Sequence, residues 1–288
     1  MRKLLAKYEH YGYAPVGLAS NLKFIVNRSL WKLLKVFRGE EPEFFWFEKP
    51  FRINDVFYSL TNGYYFKASG HNDFNFIGGR HESFQDRYMD ESLQDGSIFI
   101  DVGAHLGRFT LRAANLVGEN GQVVALEPDQ RVFQRLMENV ELNNMHNVIA
   151  LPIAASNGNF LAHFKLSNSS GWSSLTDMHK ETVVAEVPIP AFTLDTLVES
   201  LELRRVDLVK IDVEGAEDEV LEGAAELLEV FRPALLIEVH ADEPWSKCRR
   251  ILEKKGYNYT IIHRDSESAD PHFHVYAHTK VLAEKLRV

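Results

Sequence analysis

Residues 98–107, IFIDVGAHLG, decide the fold. An apolar run leads directly into D-x-G-x-x-x-G, and a helical pattern starts behind the second glycine, so the stretch reads as strand, tight turn, helix. Gly103 and Gly107 bracket the turn and let backbone approach a ligand with no Cβ in between. In open α/β sheets ligands sit at the carboxyl ends of strands, near the point where strand order reverses. The spacing is not G-x-G-x-x-G, because His105 and Arg108 stand at the positions of the second and third glycines. A dinucleotide pyrophosphate is therefore disfavoured. No Gly-Lys-Ser/Thr follows either, which removes a phosphate-binding P-loop.

Downstream, strands alternate with helices. The pattern predicts strands over 97–102, 122–126, 148–154, 187–191, 206–211, 234–239, 257–262 and 273–277. It predicts helices over 107–117, 129–143, 194–201, 217–231 and 245–255. Such alternation means βαβ units and a mainly parallel sheet with helices on both faces. The runs at 206–211 and 234–239 are almost continuously apolar, as strands buried on both faces should be.

The second strand ends in Leu126-Glu127-Pro128-Asp129, which places an acid twenty positions after Gly107. An acid there can accept both hydroxyls of a ribose diol. Further on, VKIDVEGAE, residues 209–217, places Asp212 at a strand's carboxyl end with Glu214 just beyond it. The next parallel strand ends LIEVH, where Glu238 and His240 alternate to one side. The acids Glu217, Asp218 and Glu219 fall in a helical first turn, where negative charge complements the helix dipole.

Together FIDVGAHLG, ALEPD, KIDVEGAE and RPALLIEVH resemble the FkbM family of S-adenosylmethionine-dependent methyltransferases, over roughly residues 78–260. The resemblance implies the class I methyltransferase fold, a Rossmann-like, mainly parallel seven-stranded sheet. It also implies a cofactor site of Asp101, Gly103, Ala104, His105 and Gly107, with Glu127 and Pro128 at the ribose. His105 replaces the family's usual Asn. The third strand is expected to end Ala154-Ala155-Ser156, without the Asp that many class I enzymes set against adenine, so Ala155 and Ser156 are the candidates there.

Methyl transfer is an in-line displacement, and a protonated alcohol is a poor nucleophile. A base near the hydroxyl is needed, and His with carboxylates around it suits neutral pH. The candidates are Asp212 or His240 as base, with Glu214 and Glu238 orienting the acceptor. Asp212, Glu238 and His240 could hold a divalent metal by ligand type, but metal dependence is not favoured. The expected activity is O-methyl transfer to a sugar, a glycolipid or lipid-linked sugar, or another hydroxyl-bearing small molecule. The rival readings are a nucleoside-binding module without catalysis and a nucleotide-linked dehydrogenase. Residues 166–175, LSNSSGWSSL, are too hydroxyl-rich for a plain connection and read as a binding loop, with Trp172 able to stack on a sugar ring.

Upstream of the main domain, placed at 96–288, residues 1–95 read as an N-terminal extension. Residues 18–38 carry five Lys and Arg and no acid, with apolar residues at helical spacing. This amphipathic helix is expected to pack on the body or on a second subunit, with a membrane surface as the alternative. An aromatic-rich cap follows, with a hairpin around Asn62-Gly63 and a helix over 82–93. With 45% hydrophobic and 25% charged residues in 288 the chain is globular, not disordered. A net charge of −9 disfavours nucleic acid as partner. A single cysteine, Cys248, excludes an internal disulfide and a Cys-based zinc site. With no signal-like start and no run of 18 apolar residues, the expectation is a cytoplasmic protein, peripheral to the membrane at most.

Overall fold

The computed structural model describes residues 13–15, 55–59, 64–68, 83–168, 170–178, 182–264 and 272–279. The amphipathic segment at 18–38 lies outside them. The chain divides into two compact units, Met1–Ser83 with Glu141–Asn144, and Phe84–Val140 with Met145–Val288.

In the first unit, β1 (Tyr13–Pro15), β2 (Asp55–Ser59) and β3 (Tyr65–Ala68) form an antiparallel sheet in that order. β2 and β3 are the expected hairpin, with Phe57 opposite Phe66 and Tyr58 opposite Tyr65. Asn62 and Gly63 themselves lie outside the described residues.

The second unit is built on seven strands. They are β4 (Ile98–Val102), β5 (Gln122–Leu126), β6 (Val148–Leu151), β10 (Leu208–Ile211), β11 (Ala234–Val239), β12 (Tyr257–Arg264) and β13 (Phe273–Thr279). Their order is β12-β13-β11-β10-β4-β5-β6. β4, β5, β6, β10 and β11 pair in parallel, and β13 runs antiparallel to both of its neighbours. Strand order reverses between β4 and β10, so the crevice for a ligand opens at their carboxyl ends.

Alternate residues of each strand feed two cores. Phe99, Val123 and Leu236 pack with Met89 and Leu93 of α1 (Ser83–Ser92) and with Phe109, Ala113 and Val117 of α2 (Arg108–Val117). Ile100, Val102, Val124 and Ile237 face the other way. They meet α4 (Leu194–Ser200), α5 (Glu217–Glu222), α6 (Ala225–Val230) and α7 (Asp242–Lys254). Helices thus cover both faces, which is why these strands read as apolar runs. α3 (Gln130–Leu142) follows β5. Among the described residues no helix is long and apolar enough to cross a membrane.

Several boundaries differ from the sequence reading, and the larger differences have a physical cause. The third central strand stops at Leu151 rather than 154, because Pro152 has no N–H to continue the ladder. Ala154–Ala155 is instead β7, in a separate sheet of order β7-β9-β8, with β8 (Phe160–Ser167) and β9 (Val183–Phe192). β8 was hidden because its alternation is broken, with Phe160 and Leu161 both exposed. The helix expected over 217–231 is two helices. A Cβ on Gly223 would lie 2.1 Å from the Ser156 carbonyl oxygen. The Asp195 carboxylate accepts from the amides of Glu226 at 2.9 Å and Leu227 at 2.8 Å, capping a fresh start.

Candidate active site

At the end of β4, Asp101 is fully buried. Its Oδ2 accepts from Thr110 Oγ1 at 2.6 Å, while Oδ1 is buried with no hydrogen-bond partner. Burial pushes this carboxyl up, against the pull of the Lys210 charge and the Thr110 hydroxyl. Lys210 is its register partner on β10. The glycine loop is stitched to β5, since the amides of Gly103 and Ala104 both donate to the Leu126 carbonyl at 3.0 Å. Glu127 fixes the rest of the turn. Its Oε2 accepts from the His105 amide and its Oε1 from the Asp129 amide, each at 2.8 Å. Burial raises the Glu127 carboxyl to about 8, with those two amides opposing. His105 is held at φ 49, a left-handed conformation that a side chain rarely adopts.

Gly103 has φ +81, and a Cβ there would sit 1.8 Å from the Asp212 carbonyl oxygen. The glycine is therefore required by a backbone crossing. The loop after β4 and the loop after β10 touch at this point, and the Asp212 amide donates to the Val102 carbonyl at 3.1 Å. Gly107 has φ +88, with the Leu136 side chain 2.6 Å from its Cβ position.

The crossing brings the second cluster alongside. Asp212 Oδ2 accepts from Lys210 Nζ at 2.8 Å, and that lysine is buried, 4.9 Å from the Phe109 ring centre. His240, just past β11, points Nε2 at three carboxylates: Glu214 at 3.5 Å, Glu238 at 3.6 Å and Asp212 at 3.8 Å. These separations are longer than good hydrogen bonds, so the ring faces all three acids without being committed to one. On the far side of the ring, Nδ1 lies 2.7 Å from Glu217 Oε1. Burial would lower the His240 pKa. The Glu214 charge and the contacts with Glu217 and Glu238 outweigh it and hold the imidazolium well above the usual range. Glu238 responds in the opposite sense. Burial would raise it, but the contacts with His240 and His272 hold its carboxyl well below the usual range.

The polar stretch at 166–175 is anchored to both clusters. Ser173 Oγ donates to Asp129 Oδ2 at 3.1 Å, and Arg131 donates to the Ser167 carbonyl at 3.1 Å. Ser174 Oγ and Thr176 Oγ1 donate to the Glu214 carbonyl at 2.7 and 2.9 Å. Glu214 has φ 55, and these two hydroxyls hold that strained turn. Trp172 is about half exposed on this stretch.

The structure brings Asp101, Gly103, Ala104, His105, Gly107, Glu127 and Pro128 together around one turn, and Asp212, Glu214, Glu238 and His240 around another. Ala155 ends β7, in the β7-β9-β8 sheet, and Ser156 follows it. There Ser156 Oγ donates to Glu219 Oε2 at 2.8 Å and the Ser156 amide to the Phe192 carbonyl. Three further residues belong to the second cluster. Glu217, read from sequence as a helix-dipole acid, is fully buried against His240. Its signal was position: with Val220, Leu221 and Ala224 it falls on the apolar stripe, where a lone charge is out of place. His272 and His274 flank the start of β13, two apart and so on one face of a strand beside Glu238.

Residues 101–259 match the Methyltransferase FkbM domain family. Hexuronic acid methyltransferase AglP of Haloferax volcanii is 29% identical over 190 residues, covering 63% of this chain and 72% of that protein. Methyltransferase 1 of Beauveria bassiana is 25% identical over 205 residues, 64% of this chain and 82% of that one. The crystal structure of M. jannaschii TYW2 in complex with AdoMet is similar over 79% of this chain and 85% of that chain, with 17% identity and a TM-score of 0.47.

Proposed function

Because the chain belongs to the FkbM methyltransferase family, we propose that it moves a methyl group from S-adenosylmethionine to a hydroxyl of a sugar, a glycolipid or a secondary metabolite. The observation that carries this reading is the backbone crossing at Gly103. It sets an acid-lined nucleoside turn against a cluster of one imidazole and three carboxylates at the same sheet edge.

The residues of the first turn suit the cofactor. Asp101 Oδ1 is a buried acceptor with no partner, fit for an ammonium group. Each Glu127 oxygen takes one amide and keeps a second lone pair for a ribose hydroxyl. Gly103, Ala104, His105, Gly107 and Pro128 line the same turn. Ala155 and Ser156 stay the weakest members of the set, since the Ser156 hydroxyl is already committed to Glu219. When bound, the cofactor supplies a methyl made electrophilic by its sulfonium. The chain's own task is to place the hydroxyl in line and take its proton, positioning alone supplying several kcal/mol. Asp212 Oδ1 and His240 Nε2 face one another across 3.8 Å, and either can receive that proton. His240 does so only once neutral. Glu214 and Glu238 complete the ring of acceptors that orients the hydroxyl, and Glu217 fixes the imidazole from behind.

A sugar acceptor is favoured by the likeness to the hexuronic acid methyltransferase and by Trp172, whose exposed ring can stack on a pyranose. The dehydrogenase reading has nothing in its favour beyond the shared sheet topology, and a non-catalytic module would have no use for the second cluster. The test is transfer of labelled methyl from S-adenosylmethionine to a panel of hexuronic acids, neutral sugars and glycolipids. The expected product carries an alkali-stable ether. Label recovered only as an alkali-labile ester would overturn the hydroxyl assignment.

A further inference from the structure

The carboxylate of Glu238 faces two ways. One side borders His240. On the other, the register of β11 and β13 sets it opposite His274. Glu238 Oε1 lies 2.7 Å from His272 Nε2, and Oε2 lies 3.6 Å from His274 Nδ1. One ligand atom from each of the three residues falls within 4.8 Å of the others. The His272 ring stacks on that of His240 at 5.3 Å and lies 5.5 Å from that of His274.

Simple ion pairing does not account for this group. The pair with His272 satisfies Oε1, but Oε2 is buried and has no hydrogen-bond partner. Gln85 Nε2 lies 2.8 Å from His274 Nδ1. An amide N–H can only donate, so the His274 nitrogen that faces Glu238 is the unprotonated one, with a lone pair to give. The sheet edge is also short of positive charge. Asp212, Glu214, Glu217 and Glu238, four acids, gather there around two cations, Lys210 bound to Asp212 and the His240 imidazolium.

We propose that Glu238, His272 and His274 form a binding site for one divalent first-row transition ion, of the zinc, iron(II) or manganese class. Two imidazoles and a carboxylate suit such ions, whereas magnesium prefers oxygen alone. Ligand atoms about 2.0–2.2 Å from a shared ion stand roughly 3.0–3.5 Å apart. The observed 2.7 and 3.6 Å therefore need shifts well under an ångström. The ion takes the lone pair that Gln85 now engages and gives Glu238 Oε2 a partner. Through the stacked His272 it would sit beside His240. The site does not depend on methyl transfer being the activity.

The full chain, stripped with chelator, is titrated with Co(II) and Zn(II), with Mg(II) as a third arm. Co(II) is read by its visible absorption and Zn(II) by calorimetry. One equivalent of Co(II) or Zn(II) should bind at micromolar or lower dissociation constant, and Mg(II) at least 100-fold more weakly. His272→Ala and His274→Ala should each weaken binding at least tenfold while S-adenosylhomocysteine binding stays within a few-fold. If His274→Ala fails to fold, His272→Ala, whose side chain is a third exposed, decides alone. Absence of saturable binding overturns the proposal, as does binding that His272→Ala leaves intact. So does binding lost in His240→Ala but kept in His272→Ala, which would place the ion among Asp212, Glu238 and His240.

Discussion

The turns after β4 and after β10 and β11 are both lined with buried acids, yet the acids do different things. In the first, each acid is tied to the protein's own backbone or a hydroxyl and keeps an acceptor site to spare: Glu127 holds two amides, and Asp101 holds Thr110 through Oδ2 while Oδ1 has no partner. That turn is a preformed cradle. In the second, the ionisable groups face one another across 3.5–3.8 Å. Such a cluster is poised to respond to whatever enters it. Burial alone does not separate a binding site from a reacting one; what separates them is whether buried charges are committed to backbone or to each other.

Removing the reacting side should have the largest effect. His240→Ala and Asp212→Asn should each slow methyl transfer about 10²–10⁴-fold, the range for loss of a general base. S-adenosylhomocysteine binding by calorimetry should stay within a few-fold of the parent. Near-parental turnover in both would mean that positioning alone drives the reaction.

Striking the crossing should damage both sides together. Gly103→Ala puts a methyl against the Asp212 carbonyl and a side chain at φ +81. Overpacking and the left-handed conformation together should cost about 2–5 kcal/mol. Thermal unfolding should report a lowered Tm, with nucleoside binding and turnover falling in step. A variant that loses one and keeps the other would show that the two turns are not coupled here.

On the binding side, Glu127→Gln should weaken S-adenosylhomocysteine by about 1–3 kcal/mol with little change in the chemical step once saturated. The pH dependence has a definite sign. Glu127 titrates at about 8 when folded against 4.5 for the free side chain, so the folded protein keeps a proton that the unfolded chain has lost. Its contribution to stability is therefore full below 4.5 and lost as pH rises to about 8. A ribose diol donates to the ionised form, so affinity should rise with pH up to about 8. Both slopes should flatten in Glu127→Gln, as urea melts and calorimetry across that window would record.

The smallest effect is expected from Ser174→Ala. It removes one of two hydroxyls on the Glu214 carbonyl, a loss of about 0.5–1.5 kcal/mol, and should lower turnover several-fold while nucleoside affinity holds. An unchanged turnover number would show that Thr176 alone is enough to keep Glu214 in place.

Much of the site was legible in the chain because its members lie at strand ends. There apolar runs stop and Gly, Asp, Glu or His begin, as at Asp101-Val-Gly103 and Asp212-Val-Glu214-Gly215. Period and punctuation locate such points without knowledge of neighbours. Glu217 escaped because its role depends on a histidine 23 residues away, while its local setting, a helix first turn, offers a sufficient explanation by itself. His272 and His274 escaped for a related reason. Only the antiparallel register of β13 sets them against Glu238, and no local pattern encodes register between distant strands.

The sequence by itself determined the alternation of strands and helices, the buried central strands, the family resemblance and the acids at two turns. These follow from the hydrophobic period and from the backbone needs of individual residues. Tertiary structure alone decided that Gly103 serves a backbone crossing with Asp212, that Ala154 and Ala155 pair with Ala191 and Phe192 of β9, and that four carboxylates converge on His240. The physical reason is common to all three. Each rests on a contact between residues far apart in the chain, whose closeness depends on how strands are ordered and paired rather than on what any one segment prefers.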